Sequence, residues 1–148
     1  MFYFDKNDPR VLFCDIRTVS PCIVGKGRNA RTFSCGPDVV CDFTSLPFGD
    51  ASFNAVVFDP PHIIKTSGTA YMQIKYGALE GSWREMLRKG FLECFRVLKP
   101  NGILIFKWNE TDIKVGEILA LTLEKPVFGH RSGKRSKTHW ICFMKGGG

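Results

Sequence analysis

The sequence has few of the features that mark a secreted, zinc-binding or membrane protein. Its six cysteines include no Cys-x-x-Cys pair and its histidines no His-x-x-x-His pair, so we expect no metal site. The start shows no signal peptide and several cysteines lie in apolar runs, so we expect reduced thiols and a cytoplasmic location. No apolar run approaches the ~18 residues that a membrane span needs, so no membrane partner is expected.

Acidic side chains are missing from the C-terminal end of the chain. The formal net charge is +7, but residues 1–124 carry 15 basic and 14 acidic side chains and are nearly neutral. The other basic side chains lie in the last 24 residues, with no acid among them: Lys125, Arg131, Lys134, Arg135, Lys137 and Lys145. Such a cationic edge is typical of proteins that bind a polyanion such as nucleic acid, although a solvated loop that only aids solubility has the same composition.

What is present is enough for a folded core. The chain has 148 residues, 44% of them hydrophobic and 24% charged, which excludes disordered and fibrous classes. This length predicts a single domain over residues 1–148, with a disordered glycine tail at 146–148.

Three short apolar runs each end in an aspartate: Val11–Asp15, Val39–Asp42 and Ala55–Asp59. Continuous apolar runs favour strands that are covered on both faces, as in a parallel sheet. Ligands of such sheets bind beyond the carboxyl ends of the strands, where these three aspartates are expected.

The rest of the chain alternates helices, strands and loops. The spacing of Trp83, Leu87, Phe91 and Phe95 predicts a helix over 82–99, capped by Ser82 and ended by the turn Pro100-Asn101-Gly102. We expect a buried strand over 103–108, a second helix from 111 or 112 to about 122, and a closing strand pair over 126–129 and 138–144. Residues 20–36 and 60–80 lack periodicity and are predicted to be functional loops or a lid.

The tetrad Asp59-Pro60-Pro61-His62 directly follows a predicted strand and is the sharpest chemical signal in the chain. Two consecutive prolines remove two backbone donors and leave carbonyl acceptors available. A carboxylate and carbonyls around the hydrogens of a ring-conjugated amine can hold that amine in line with an electrophile, and a flat side chain can stack on its ring. A simple turn at the end of a strand is the alternative interpretation.

The order of these features resembles the class I S-adenosylmethionine-dependent methyltransferases, from about Val11 to Met144. The segments that carry the resemblance are the tetrad, Leu46–Phe53 before it, and Arg96–Gly102 after the helix. The tetrad is similar to that of the amino-methyltransferase branch, which has Asp or Asn, Pro, Pro and then an aromatic residue. The resemblance implies an α/β, Rossmann-like fold, mostly parallel, with a C-terminal antiparallel strand pair.

The resemblance also implies roles for individual residues. Asp15 matches the acid that binds the ribose hydroxyls of S-adenosylmethionine, and Asp42 with Phe43 matches the pair that holds the adenine. Asp59, Pro60, Pro61 and His62 match the catalytic site that holds the target amine, and Asp59 also borders the cofactor. Each acid could instead cap a nearby helix, and His62 could be a solvent-exposed turn residue.

Two departures from the family pattern stand out. His62 occupies the place of an aromatic residue; imidazole can stack, but it also titrates near neutral pH. The glycine-rich loop after the family's first strand is absent, so that strand is missing from the predicted fold. Either the first residue is a miscalled internal methionine, or the chain is naturally short, or a partner fills the gap; we expect a missing upstream segment.

Two groups of residues are candidates for contact with the substrate. Lys107, Trp108 and Asn109 end the predicted strand on the same edge as Asp59. Trp108 and Asn109 could shape a base pocket, although strand-end packing is the commoner role for such a tryptophan. Arg131, Lys134, Arg135 and Lys137 could contact phosphates. Trp140 beside them is expected in the core, and His139 is expected on an exposed strand.

The leading hypothesis is a methyltransferase that uses S-adenosylmethionine to methylate an exocyclic amino group of a flipped or unpaired base in DNA or RNA. One alternative is an inactive relative that binds nucleic acid or a partner subunit through its basic edge. Another is an enzyme acting on a protein amide or a small amine. The sequence does not choose between DNA and RNA, adenine and cytosine, or monomer and homo-oligomer.

Overall fold

The structure, a computed structural model, describes residues 3–25, 27–63, 77, 79, 81–133 and 135–147. The chain forms two compact units, Met1–Phe43 and Thr44–Gly148. The predictions of a single domain and of a disordered tail at 146–148 stay predictions. Most of the expected loop over 60–80 lies outside the described residues.

Two small strand pairs form the first unit. Strands β1 (Cys14–Asp15) and β4 (Val39–Val40) pair in parallel. Strands β2 (Val19–Val24) and β3 (Arg31–Cys35) form an antiparallel hairpin closed by a 3-10 turn at Gly27–Asn29. The expectation of a loop or lid over 20–36 was therefore wrong.

The composition of this hairpin explains the error. Pro21 and two glycines are typical of loops, yet Pro21 lies where the pairing register shifts between Val19 and Cys22. A missing backbone donor costs little at such an irregularity. Gly25 and Gly27 have φ of 89° and 56°, which glycine adopts without strain in the turn.

One four-stranded sheet organises the second unit, in the order β5-β6-β8-β7. Its strands are β5 (Phe53–Phe58), β6 (Leu98–Asn109), β7 (Phe128–Arg131) and β8 (Thr138–Met144). Strands β5 and β6 are parallel, whereas β8 is antiparallel to both β6 and β7. The expected C-terminal antiparallel pair is confirmed, but the described sheets are mixed rather than mostly parallel.

Helix α1 (Trp83–Val97) covers one face of this sheet. Its buried side chains recur at helical spacing and so form one apolar stripe that packs on the sheet. Phe91 packs against rings from three strands, with centroids 5.6 Å from Phe58, 4.9 Å from Phe106 and 6.1 Å from Phe143. The helix is slightly shorter than the predicted 82–99. Ser82 stands at the N-cap position, but its side chain makes no capping hydrogen bond.

The predicted turn at Pro100-Asn101-Gly102 is a bulge inside β6. The partners of β6 pass from Phe53↔Leu98 to Ala55↔Ile103, so the chain between them bulges away from β5. Asn101 has φ 63°, and a Cβ on Gly102 would lie 2.8 Å from the Lys99 carbonyl oxygen. Asparagine tolerates that φ, and only glycine fits the close approach.

Other elements differ from the prediction in their length and in the burial of their faces. Helix α2 spans only Val115–Leu119 within the predicted 111–122, and β1 includes only the end of the apolar run at 11–15. The expectation of strands buried on both faces was wrong, because burial alternates along β6 from Gly102 to Asn109 and Val57 on β5 is exposed. Among the described helices, none is both long and apolar enough to cross a membrane.

Candidate active site

Asp59 lies at the carboxyl end of β5, beside the end of its parallel neighbour β6. Lys107 of β6 donates a hydrogen bond from Nζ to Asp59 Oδ2 at 2.6 Å. The Lys107 side chain is 26% exposed and the Asp59 side chain 36%, so a ligand can reach the pair. The sequence placed both residues on one edge, and the structure brings them into contact.

Trp140 joins this pair from the antiparallel strand β8. Lys107 and Trp140 are opposite each other in the β6–β8 register, and Lys107 Nζ lies 5.7 Å from the centroid of the tryptophan ring. This is within cation–π range. Trp140 donates from Nε1 to Ser132 Oγ at 3.1 Å and is half-buried, so it is less enclosed than the expected core residue. We call Asp59, Lys107 and Trp140 the acid–lysine–tryptophan cluster.

The rest of the tetrad forms a partly buried wall beside Asp59. Pro60 is buried, while Pro61 and His62 are half-buried. The His62 ring meets Trp108 edge-on, with centroids 6.4 Å apart. Burial lowers the pKa of His62 below its ordinary value, helped by Lys107 and opposed by Asp59 and Asp112. The imidazole is therefore neutral at pH 7.

Trp108 and Asn109, the two candidates for a base pocket, both make local contacts at the end of β6. Trp108 is 1% exposed, stacks on Phe106 and donates from Nε1 to the Ile113 carbonyl at 3.0 Å. Asn109 donates to Thr138 Oγ1 and accepts from the backbone and hydroxyl of Thr111. Trp108 meets the tetrad through the ring of His62, and the contacts of both residues fit strand-end packing. A part in a base pocket stays a prediction.

A buried acid at the end of β6 was missed by the sequence reasoning. Glu110 is 9% exposed; its Oε1 accepts from Arg131, and His139 Nε2 lies 3.2 Å from the same oxygen. The His139 and Arg131 side chains lower the pKa of Glu110 to about 2. His139 is only 16% exposed, so the expectation of an exposed residue was wrong. The i to i+21 and i+29 spacings of these contacts give no local signal.

The residues of the basic edge differ in their partners. Arg131 forms an ion pair with Glu110, Lys145 donates to the Leu98 carbonyl, and Lys134 lies outside the described residues. Arg135 and Lys137 are exposed and form no ion pair with any described residue. Together with Lys125, which is exposed and likewise forms no ion pair with a described residue, these two are the accessible part of the basic edge.

Asp15, in the first unit, carries an arginine fork. Arg17 donates to Oδ1 from its backbone N and from Nε, both at 2.9 Å, and to Oδ2 from Nη2 at 2.8 Å. Burial raises the pKa of Asp15, but these hydrogen bonds lower it further than burial raises it, so the group stays ionised. Asp8 and Arg10 form the same fork two residues apart. The repeated Asp-x-Arg spacing is the sequence signal that could have shown it.

The fork limits what Asp15 can hold. A carboxylate offers about four acceptor positions, and Arg17 uses three of them. At most one position, on Oδ2, remains, which suits one hydroxyl of a ribose rather than both.

Asp42 and Phe43 are half-buried and each contacts neighbouring residues. Among the described residues, no cluster of His, Cys, Asp and Glu is arranged to hold a metal ion.

Comparison with known proteins finds similarity in structure alone. No family model and no curated protein sequence matches the chain. The PH0226 protein of Pyrococcus horikoshii superposes with a TM-score of 0.52 at 15% identity, over 72% of this chain and 58% of that one. TTHA0409 of Thermus thermophilus, provisionally named a DNA modification methylase, gives a TM-score of 0.42 at 20% identity, over 69% of this chain and 48% of that one.

The similarity to PH0226 concerns the fold alone: the superposed part of this chain shares its fold with that protein. The similarity to TTHA0409 is weaker still and adds no argument. The chain spans less than two thirds of the length of either protein.

Proposed function

We propose that the protein is an S-adenosylmethionine-dependent methyltransferase acting on an exocyclic amino group of a base in DNA or RNA. The observation that carries this proposal is the Asp59 carboxylate, reachable by a ligand at the joined carboxyl ends of two parallel strands and followed by two prolines. The methyltransferase-like fold of PH0226 supports the same class.

The tetrad has the groups that amine alkylation requires. S-adenosylmethionine supplies an electrophilic methyl group on a sulfonium sulfur. As the substrate nitrogen bonds to the methyl carbon, the carbon–sulfur electron pair stays with sulfur, and the nitrogen gives up one proton. Asp59 accepts a hydrogen bond from the amino group, orients its lone pair and stands ready for that proton. The proline carbonyls add acceptors for the second amino hydrogen.

The cofactor residues are proposed from the resemblance, with one restriction. Asp15 fits a single ribose hydroxyl while Arg17 holds its other acceptor positions. Asp42 and Phe43 are the proposed partners of the adenine amino group and ring. An acid and a flat ring in sequence suit that ligand chemically, since one accepts a hydrogen bond and the other stacks.

The nucleic-acid substrate is proposed from charge and access. Arg135 and Lys137 are exposed cations without a described acidic partner, which suits phosphate contacts. A base inside a duplex cannot bring its amine to a carboxylate at a strand end, so the target is unpaired or flipped.

Methyl transfer from radiolabelled S-adenosylmethionine to single-stranded DNA and RNA tests the proposal. We expect Asp59→Asn to lose at least a hundredfold in kcat, since the neutral amide is a weaker acceptor and no base. Asp50→Asn is the matched control, because Asp50 precedes the same strand at its opposite end and is 80% exposed. Undiminished turnover in purified Asp59→Asn would remove Asp59 from the chemistry.

The arginine fork at Asp15 favours a second candidate, an inactive module that binds nucleic acid or a partner subunit. A carboxylate already held by Arg17 needs no nucleotide to satisfy it. Calorimetry with S-adenosylmethionine separates the two functions, because the inactive module need not bind the cofactor whereas the enzyme must.

A further inference from the structure

We propose that Lys107 is a specificity-determining residue that restricts the Asp59 site to neutral, flat amines and excludes cationic alkylamines. The inference rests on the proposed function, since it takes Asp59 as the acceptor of the substrate's amino group. It selects the substrate class within that function, because a base amine is neutral and flat whereas a lysine side chain or a polyamine is cationic.

The first observation behind this inference is the charge of the acid–lysine–tryptophan cluster. A lone carboxylate at a strand end attracts an ammonium group, because the two form a charge-assisted hydrogen bond. Here the Lys107 ammonium already holds Oδ2 of Asp59 at 2.6 Å, so the pair has no net charge. A second ammonium would have to enter beside Lys107, and like charges at such distances repel strongly at a partly buried site.

The second observation is that one oxygen of the Asp59 carboxylate, Oδ1, remains available as an acceptor. Among the described residues, Lys107 makes the only hydrogen bond to this carboxylate, and it ends on Oδ2. Oδ1 can therefore accept an N–H from a neutral amine while Lys107 stays in place. The neighbouring His62 imidazole is neutral at pH 7 and adds no charge that would alter this balance.

The third observation is the arrangement of the three side chains in the cluster. Lys107 lies between Asp59 and the ring of Trp140, which Ser132 holds through its indole N–H. The Lys107 ammonium therefore contacts the carboxylate and the indole ring together, and both contacts hold the cation beside Asp59 when a ligand enters. At pH 7 alkylamines are protonated, so the amines that stay neutral are those conjugated to a flat ring.

Chemical-shift titration of the protein without cofactor tests the inference with two kinds of small probe. The neutral, flat probes are 9-ethyladenine and 1-methylcytosine, and the cationic probe is n-butylammonium at pH 7. We expect the wild-type protein to bind at least one of the flat probes at least tenfold more tightly than butylammonium. Lys107→Met should bind butylammonium about tenfold more tightly than the wild type does, because the carboxylate charge is then exposed.

Two further variants keep the result interpretable. Lys107→Arg retains the cation and should retain the preference, and it serves also if Lys107→Met fails to fold. Lys99→Met is the matched control, because Lys99 is an exposed lysine near the opposite end of β6. We expect its probe affinities to equal those of the wild type.

The inference is overturned if butylammonium binds the wild type as tightly as it binds Lys107→Met, or if the wild type binds neither flat probe. Its failure is distinct from failure of the proposed function, since the probes are titrated without cofactor and no methyl transfer is measured. A wild-type protein that shows the probe preference but transfers no methyl group would retain the role of Lys107 and refute the enzyme.

Discussion

Releasing Asp15 from its arginine fork should strengthen the binding of S-adenosylmethionine. Arg17→Ala removes the donors from Nε and Nη2 and leaves the backbone N–H of residue 17 on Oδ1, with the Cys35 thiol beside the carboxylate. The carboxylate then offers acceptor positions on both oxygens, so both hydroxyls of a ribose can donate to it. The wild-type fork leaves room for at most one.

The expected magnitude follows from one added hydrogen bond. Hydrogen bonds to charged groups contribute about 1.5–3 kcal/mol, but Asp15 is partly exposed and water competes with the ribose. We therefore expect a net gain of about 1 kcal/mol, which corresponds to roughly a fivefold lower Kd. Asp15→Asn should act in the opposite direction, because an amide oxygen is a weaker acceptor than a carboxylate.

Isothermal titration calorimetry with S-adenosylmethionine measures this difference, and a thermal melt of each variant checks its folding. Arg10→Ala is the matched control, since Arg10 makes the same three-bond fork with Asp8 but is 86% exposed and is not at a strand end. The reasoning is refuted if Arg17→Ala leaves the affinity unchanged, or if Asp15→Asn binds the cofactor as well as the wild type does.

Four other outcomes follow from the contacts described. Phe91→Ala should lower the free energy of unfolding by about 3–5 kcal/mol, because the ring is 1% exposed among three other rings, whereas exposed Phe4→Ala should change it little in urea titrations. Arg96→Met should cost about 1–3 kcal/mol in the same assay, since it removes donors to two acids and two backbone carbonyls. Glu110 has a pKa of about 2 against an ordinary 4.5, so its contribution to stability is present at neutral pH and is lost as the pH falls from about 4.5 to 2. Unfolding measured across that range should show a shallower loss in Glu110→Gln, and an unchanged slope would contradict this. Lys137→Ala should reduce the slope of log K against log salt for single-stranded DNA by about 0.7, and an unchanged slope would exclude a phosphate contact.

The parts of the fold that follow local rules could be predicted from the sequence. Strand β5 with Asp59 at its end, helix α1 and strand β8 each follow from hydrophobic spacing within one short segment. The hairpin of β2 and β3 could not be predicted in this way, because Pro21 and its glycines oppose strand formation locally. Pairing between the two strands stabilises it, and that pairing is not visible in either strand alone.

The candidate site, too, could be predicted only where its features are local in the sequence. An acid after an apolar strand predicted the position of Asp59, but its contact with Lys107 depends on the register between β5 and β6. The bulge at Asn101 alters that register. Glu110 reads as an ordinary polar residue after a strand, and only the return of β7 and β8 brings Arg131 and His139 to it.

Methyl transfer to nucleic acid tests the central claim most directly. The purified chain is incubated with methyl-labelled S-adenosylmethionine and single-stranded DNA or RNA, and the digested nucleosides are separated. The account predicts label on the exocyclic nitrogen of one base, made by the wild type and by Asp50→Asn and reduced at least a hundredfold in Asp59→Asn. Label on a ring carbon or on the sugar, or equal labelling by Asp59→Asn, would contradict it.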